Sequence, residues 1–213
     1  MILLSGNPGV GKTTCIPYIC ASHLIHTGVL NAQNFKDDGS DFLGPWVYYA
    51  KTSDKHWTGY NSLKTKITVF DDANQAVPDA VEGIPLPVLL IHYANSAPTH
   101  IPQASLEDKE NNSYFNGGLI ILSDNVEKPD LKKVLLCEEA YTRRLDLVAE
   151  VIANPNYPVI RKVMGSKEWD VPAFDMPGRP RTDAWSFVIK DPVAGRVLET
   201  VDFETFVGKV NAN

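Results

Sequence analysis

A stretch near the amino terminus has residue types and spacing that suit phosphate binding. Residues 6–13, here called the phosphate loop, read GNPGVGKT and match G-x-x-x-x-G-K-[ST] at every fixed position. Glycines let successive backbone N–H groups turn inward around phosphate oxygens, in front of a helix whose positive end adds attraction. Lys12 would reach the β- and γ-phosphates, and the Thr13 hydroxyl would ligate Mg²⁺. The predicted nucleotide-binding residues are Gly6, Asn7, Pro8, Gly9, Val10, Gly11, Lys12, Thr13 and Thr14.

Polar side chains also follow two apolar β-type runs. Asp71 and Asp72 come directly after Ile67–Phe70, and Asn125 lies shortly after Leu119–Leu122. Taken alone, each site is better interpreted as an ordinary polar turn. With the phosphate loop present, the ends of parallel strands are where ligands bind. One aspartate would hold Mg²⁺, the second would orient the attacking water, and Asn125 would contact that water or the γ-phosphate.

These residues need a sheet to position them, and the chain predicts one. Short apolar runs alternate with longer helical or irregular stretches, which is typical of an α/β fold with a largely parallel, buried sheet. The runs are Ile2–Leu4, Trp46–Ala50, Ile67–Phe70 and Leu119–Leu122. The first run leads through the phosphate loop into a predicted helix over Lys12–His26, which Pro17 should distort in its first turns.

The pattern changes after Arg144, so residues 1–153 are predicted to form the core and 154–213 a small C-terminal α+β subdomain. Leu145–Ala153 is predicted to be helical and Trp169–Arg181, rich in proline and glycine, to be a loop. Trp185–Ile189 is predicted to be a strand. Phe203–Val210 is predicted to be a short closing helix capped by Asp202.

Composition limits the classes of protein and partner. The 213 residues allow one large domain with an extra subdomain. A net charge of −6 gives no general attraction for nucleic acid, so any such contact must be local. Three scattered cysteines are too few for a disulfide framework or a four-ligand zinc site. No signal peptide and no apolar run long enough to span a membrane is evident.

Six motifs, in order, resemble those of the ATPase domain of superfamily 3 viral helicases of the picornavirus-like type. They are GNPGVGKT at 6–13, HWTGY at 56–60, VFDDANQ at 69–75, IPQASLEDK at 101–109, IILSDN at 120–125 and AYTRR at 140–144. They span about two thirds of the chain. The aspartate pair followed by Gln75, and the P-x-A-x-L-E-x-K string, are the specific parts, because a phosphate loop alone fits many unrelated families.

The resemblance implies an AAA+-like P-loop NTPase with a three-layer fold that hydrolyses ATP with Mg²⁺. It implies a homo-oligomeric, hexameric ring that binds single-stranded RNA, with arginine fingers supplied by a neighbouring subunit. The implied catalytic residues are Lys12, Asp71, Asp72, Asn125, Arg143 and Arg144, with Thr13 and Asp71 on the metal. Lys109, in a polar excursion, would contact RNA. Two departures are Glu110 where a glycine usually follows that lysine, and Asp124 where the family usually has a small hydroxyl residue.

The same resemblance implies a setting. The chain would be a fragment of a viral polyprotein, acting with other replication proteins in the host cytoplasm at membrane-associated complexes, through a segment absent from this sequence. Two other functions remain open. One is the helicase domain of a replication initiator of single-stranded DNA viruses, against which Gln75 and PQASLEDK argue; the other is a nucleotide-gated assembly scaffold. Stimulation of ATPase activity by single-stranded RNA would separate a motor from a scaffold.

Overall fold

The computed structural model describes most of the chain. The described residues are 1–31, 43–51, 54, 56–73, 84–95, 97–102, 114–126, 131–156, 159–164, 167–172 and 182–212. Two predicted features, Gln75 and the RNA-contacting Lys109, lie outside them.

Seven strands form one mixed sheet. In chain order they are β1 (Ile2–Ser5), β2 (Val47–Ala50), β3 (Ile67–Phe70), β4 (Leu119–Ser123), β5 (Leu147–Ala153), β8 (Trp185–Lys190) and β9 (Val197–Asp202). Across the sheet the order is β2-β3-β4-β1-β5-β8-β9. The first five strands in this order are parallel, and β8 and β9 join antiparallel. A separate antiparallel hairpin consists of β6 (Val159–Met164) and β7 (Lys167–Pro172).

Helices cover both faces of the sheet. The described helices are α1 (Lys12–His26), α2 (Leu86–Tyr93), α3 (Glu139–Thr142) and α4 (Phe203–Ala212). Alternate residues of each strand face opposite sides. Ile2 and Leu4 therefore pack with α1 and α4 in one core cluster, while Leu3 belongs to a second cluster with α2. The predicted three-layer α/β P-loop fold with a mainly parallel sheet is confirmed.

Two local predictions after Arg144 were wrong. Residues 147–153, expected to be helical, form β5, because they alternate between the faces as a buried strand requires: Leu147, Ala149 and Val151 lie in the first cluster and Val148 in the second. A short apolar run is compatible with the periodicity of a helix or of a strand. Pairing with β1 and β8 makes this run a strand. The predicted loop over Trp169–Arg181 is wrong for its first four residues, which belong to β7, and its remaining part, 173–181, lies outside the described residues.

The last part of the chain continues the sheet and the first core cluster. Strand β8 pairs with β5 from Val148↔Lys190 to Ala153↔Trp185. Phe187 of β8 stacks on Phe206 of α4, with ring centroids 4.1 Å apart. The division after residue 153 stays a prediction, and residues on both sides of it share one core.

The start of α4 agrees with its predicted cap. The Thr205 backbone N–H donates to Asp202 Oδ1 at 2.8 Å. Hydrogen bonds from Thr205 also hold the pKa of the Asp202 carboxyl below its ordinary value. The predicted capping residue is therefore in place.

The shared core leads to a stability prediction. Phe206 is fully buried, so Phe206→Ala should lower the free energy of unfolding by about 3–5 kcal/mol, as large-to-small changes at aromatic core positions do. Urea unfolding followed by far-UV circular dichroism should show one transition moved to lower urea. Glu204→Gln, at an exposed position of the same helix, is the control and should change stability by no more than about 0.5 kcal/mol. A second, separate transition for the C-terminal part would contradict the shared core.

Candidate functional site

The phosphate loop joins the end of β1 to the start of α1. Gly6, Gly9 and Gly11 have φ angles of 141°, 83° and 93°, which residues with a Cβ rarely adopt. Gly11 directly precedes α1, and no described side chain caps the helix at this position. The first turn of α1 also has no acidic residue. The loop and helix end therefore present unneutralised backbone dipoles of the kind that bind phosphate.

Lys12 lies folded over the phosphate loop. Its Nζ donates to the carbonyl oxygens of Gly6 at 2.7 Å and Asn7 at 3.1 Å, and to Asn125 Oδ1 at 2.8 Å. Burial lowers the pKa of Lys12, and the charges of Asp72, Asp124 and Asp71 oppose that shift. The ammonium group is thus held between the loop and the carboxylates that follow β3 and β4.

Thr13 and Asp71 bring oxygen ligands together. Thr13 Oγ1 donates to the Asp71 carboxylate at 3.0 Å, and the Ser123 hydroxyl donates to the same carboxylate. Hydroxyl and carboxylate oxygens are the donors that Mg²⁺ prefers. In the described ranges, no group of three or more His, Cys, Asp or Glu residues suits a metal ion. The donor set fits a magnesium ion that takes its other ligands from phosphate and water.

Asp72 has an unusual backbone. Its φ of 52° is the one positive value at a non-glycine residue in the described part of the chain. Its N–H donates to Ser123 Oγ at 3.2 Å, and Asn125 Nδ2 lies 3.5 Å from its Oδ1. Sparsely populated backbone conformations of this kind concentrate at functional sites. Asn125 connects Asp72 to Lys12 through the two ends of its amide.

Strand register explains why these side chains meet. Phe70 pairs with Leu122, and Leu4 pairs with Ser123, so β1, β3 and β4 end at one edge of the sheet. The structure brings together five predicted residues at this carboxyl edge: Lys12, Thr13, Asp71, Asp72 and Asn125. Their catalytic and metal-binding roles remain predictions.

The two predicted arginine fingers lie elsewhere. Asp146 donates its backbone N–H to the Met1 carbonyl, so the segment after α3 lies beside the start of β1, at the edge opposite the phosphate loop. Arg144 donates to the Ala140 carbonyl and to Asn95 Oδ1. The Arg143 side chain is exposed and contacts no described residue through a hydrogen bond or ion pair, while its backbone N–H donates to the Glu139 carbonyl at 3.1 Å.

Three residues to which the sequence assigned no role also contribute to the site. Ser123 is fully buried and connects Asp71 to the Asp72 backbone; a hydroxyl ending an apolar strand was the available signal. Asp124 is also fully buried and adds negative charge near Lys12. Trp185 donates its indole N–H to the Val10 carbonyl at 3.2 Å. Trp185 is too distant in sequence for any local pattern to reveal the contact.

The aromatic residues of the HWTGY motif pack in the core beside the strand that leads to Asp71. Trp57 and Tyr60 are buried in the second core cluster, where the Trp57 ring contacts Phe70, the residue before Asp71. The motif thus packs as an aromatic anchor under β3.

Gly6 gives a stability prediction for the loop. A Cβ at Gly6 would lie 2.8 Å from the Val151 carbonyl oxygen of β5, in addition to requiring a positive φ. Gly28 has a φ of 72°, and a Cβ there would meet nothing within 4 Å, so Gly28→Ala isolates the backbone strain, of the order of 1–3 kcal/mol. Gly6→Ala should lower the free energy of unfolding further, measured by urea titration of both variants. Equal losses would mean that the β5 contact does not constrain the loop.

Comparison with known proteins assigns the family. The model of the RNA helicase family matches residues 2–126. The chain is 27% identical over 142 residues to the replicase polyprotein of Cricket paralysis virus, covering 67% of this chain and 7% of that protein. It is 26% identical over 156 residues to the replicase polyprotein of Drosophila C virus, an alignment that covers 73% of this chain and 8% of that protein. The RNA1 polyprotein of Broad bean wilt virus 1 is 28% identical to this chain over 152 residues, an alignment that covers 71% of this chain and 7% of that protein.

The aligned part is a small fraction of each of these viral proteins. In the part of the chain that the structure describes, none of the helices has the length and apolarity needed to cross a membrane. The family match includes the phosphate loop, the aspartate pair and Asn125. The chain belongs to the RNA helicase family, as a superfamily 3 domain of the picornavirus-like type.

Proposed function

We propose that this chain hydrolyses ATP with Mg²⁺ and uses that reaction to move along or remodel single-stranded RNA during viral genome replication. One observation carries the proposal: Lys12, Thr13, Asp71, Asp72 and Asn125 form, together with Ser123, one hydrogen-bonded group beside a glycine loop. Phosphoryl transfer depends on positioning and on stabilising charge, and this group supplies side chains for both. The replicase names of the relatives support the replication setting.

Charge balance supports the need for a divalent cation. Burial lowers the pKa of Lys12, the one lysine described at the site, and the negative charges of Asp72, Asp124 and Asp71 oppose that shift. A nucleoside triphosphate adds further negative charge, so the lysine alone leaves the complex strongly repulsive. Thr13 and Asp71 would hold Mg²⁺, which when bound neutralises phosphate charge and polarises the phosphoryl group.

The remaining polar groups suit the hydrolytic step. Asp72 has no hydrogen bond to Thr13 in the described contacts, and its carboxylate lies next to the Asn125 amide. In the proposed reaction Asp72 accepts a hydrogen bond from the attacking water and aligns it with the γ-phosphate. Asn125 holds that arrangement through Nδ2, while its Oδ1 contacts Lys12.

Two substitutions test the assignment of roles. Lys12→Ala should lower kcat for ATP hydrolysis by at least about a hundredfold, because a neutral stub leaves the phosphate charge unbalanced. Asp72→Asn should lose hydrolysis while keeping nucleotide affinity, since the amide retains the shape of the side chain. Steady-state phosphate release and equilibrium nucleotide binding measure the two effects, with Lys209→Ala as a control at a surface ion pair. Wild-type turnover in Lys12→Ala, or turnover in excess chelator, would refute the mechanism.

The arginines support a ring in which each site is completed by the next subunit. Arg143 and Arg144 lie at the amino edge of the sheet, and the phosphate loop of the same chain lies at the carboxyl edge. An arginine at the amino edge is better placed to contact the nucleotide of a neighbouring subunit than the nucleotide bound by its own chain. Arg143, exposed and without a described partner, is the stronger candidate, since Arg144 is held by Asn95 within the chain. The ring is proposed to be hexameric.

Mixing two inactive variants tests this arrangement. Arg143→Ala and Lys12→Ala should each be inactive alone and should recover part of the activity together, because a mixed ring contains some interfaces with both residues intact. Arg144→Ala is the comparison, and its defect should be smaller if its role is to hold Asn95. ATPase rate against mixing ratio and enzyme concentration is the measurement. No recovery, with a rate strictly proportional to dilute enzyme, would indicate a self-sufficient monomer.

The family match favours RNA over the single-stranded DNA of a replication initiator. A scaffold without unwinding activity would have the same nucleotide site. An increase of the ATPase rate by single-stranded RNA would therefore support the motor over the scaffold. Lys109 is proposed to contact that RNA. Action at membrane-associated complexes of the host cytoplasm, alongside other replication proteins, completes the proposal.

A further inference from the structure

We propose that Trp185 is a positioning residue for nucleotide binding: its indole N–H fixes the orientation of the peptide between Val10 and Gly11 in the phosphate loop. The proposal rests on the proposed nucleotide-binding function of that loop. Trp185 Nε1 donates to the Val10 carbonyl oxygen at 3.2 Å, and the tryptophan side chain is buried, with 3% of the residue exposed.

The peptide that Trp185 contacts has little restraint of its own. Val10 stands between Gly9 and Gly11, both at positive φ. The Val10–Gly11 peptide turns through the Cα–C bond of Val10 and the N–Cα bond of Gly11, and the second of these has the broad range of φ that glycine allows. A hydrogen bond from outside the loop therefore helps to select one orientation.

Orientation of this peptide decides where the Gly11 N–H points. In a trans peptide the carbonyl and the following N–H lie on opposite sides of one rigid plane. Holding the Val10 oxygen on the Trp185 side therefore directs the Gly11 N–H to the opposite side. Two earlier peptides of the loop are also held through their carbonyl groups, because the Gly6 and Asn7 oxygens accept hydrogen bonds from Lys12 Nζ. Fixed N–H directions are what make a glycine loop an anion site.

Trp185 itself is firmly placed. It pairs with Ala153 in the register of β5 and β8, and the preceding turn is held by Asn154, whose N–H and Nδ2 donate to the carbonyls of Ala184 and Asp183. Its ring lies 6.2 Å from Tyr18 of α1 and 6.4 Å from Phe203 of α4, centroid to centroid. The hydrogen bond thus comes from a donor with little freedom to move.

Trp185→Phe tests the proposal because it keeps an aromatic ring and removes the donor. Affinity for Mg²⁺ with a non-hydrolysable ATP analogue should fall about three- to tenfold, the effect of one neutral hydrogen bond. KM for ATP should rise by a similar factor, with kcat within about twofold. A merely structural defect would lower the folded fraction and therefore the apparent kcat, leaving KM unchanged.

Phe187→Leu is the matched control, since it loosens the same core cluster where Phe187 stacks on Phe206, and it removes no hydrogen bond to the loop. Its KM should equal that of the wild-type chain. If Trp185→Phe has wild-type affinity and KM, or if Phe187→Leu raises KM to the same extent, the positioning role is refuted. Failure of the wild-type chain to bind or hydrolyse ATP would instead refute the proposed function, so the two outcomes are distinguishable.

Discussion

The arrangement of the site depends on the position of β1 between β4 and β5. All four residues of this strand are buried, and both of its neighbours run parallel to it. Because parallel neighbours end at the same edge, the phosphate loop after Ser5 is delivered beside the polar residues after β3 and β4. Each face of β1 also joins a different core cluster. A slip of one residue would exchange those faces and would misplace Lys12 relative to Asn125.

The site was predictable to the extent that it is local in sequence. Glycines with positive φ before a helix, and carboxylates directly after a β-type run, follow from residue types and spacing alone. The β5 error has a physical origin: a run of seven residues, six of them apolar, fits a helix or a strand, and hydrogen bonds to β1 and β8 make the choice. The contact between Trp185 and Val10 joins residues 175 positions apart, so only the folded sheet reveals it.

The two edges of the sheet have different chemical character. The carboxyl edge has the lysine, the threonine and the carboxylates, whereas the amino edge has Arg143 and a pocket of about 340 Å³. That pocket includes Glu138, Glu139 and Asp191 among its lining residues. A head-to-tail contact between copies would place unlike surfaces against each other, as a closed ring with rotational symmetry requires. The proposed division of labour between subunits is therefore compatible with the way the strands point.

The left-handed backbone of Asp72 has a consequence for the balance between stability and activity. Glycine would adopt a φ of 52° without strain, whereas aspartate, like asparagine, adopts it at a smaller cost than most other residues. The position nevertheless has a carboxylate, whose backbone N–H and side chain are held by Ser123 and Asn125. Conformational energy is thus stored beside the proposed reaction centre and balanced by the surrounding hydrogen bonds. Substitutions that make this chain more thermostable at Asp72 are therefore expected to remove the group on which its chemistry depends.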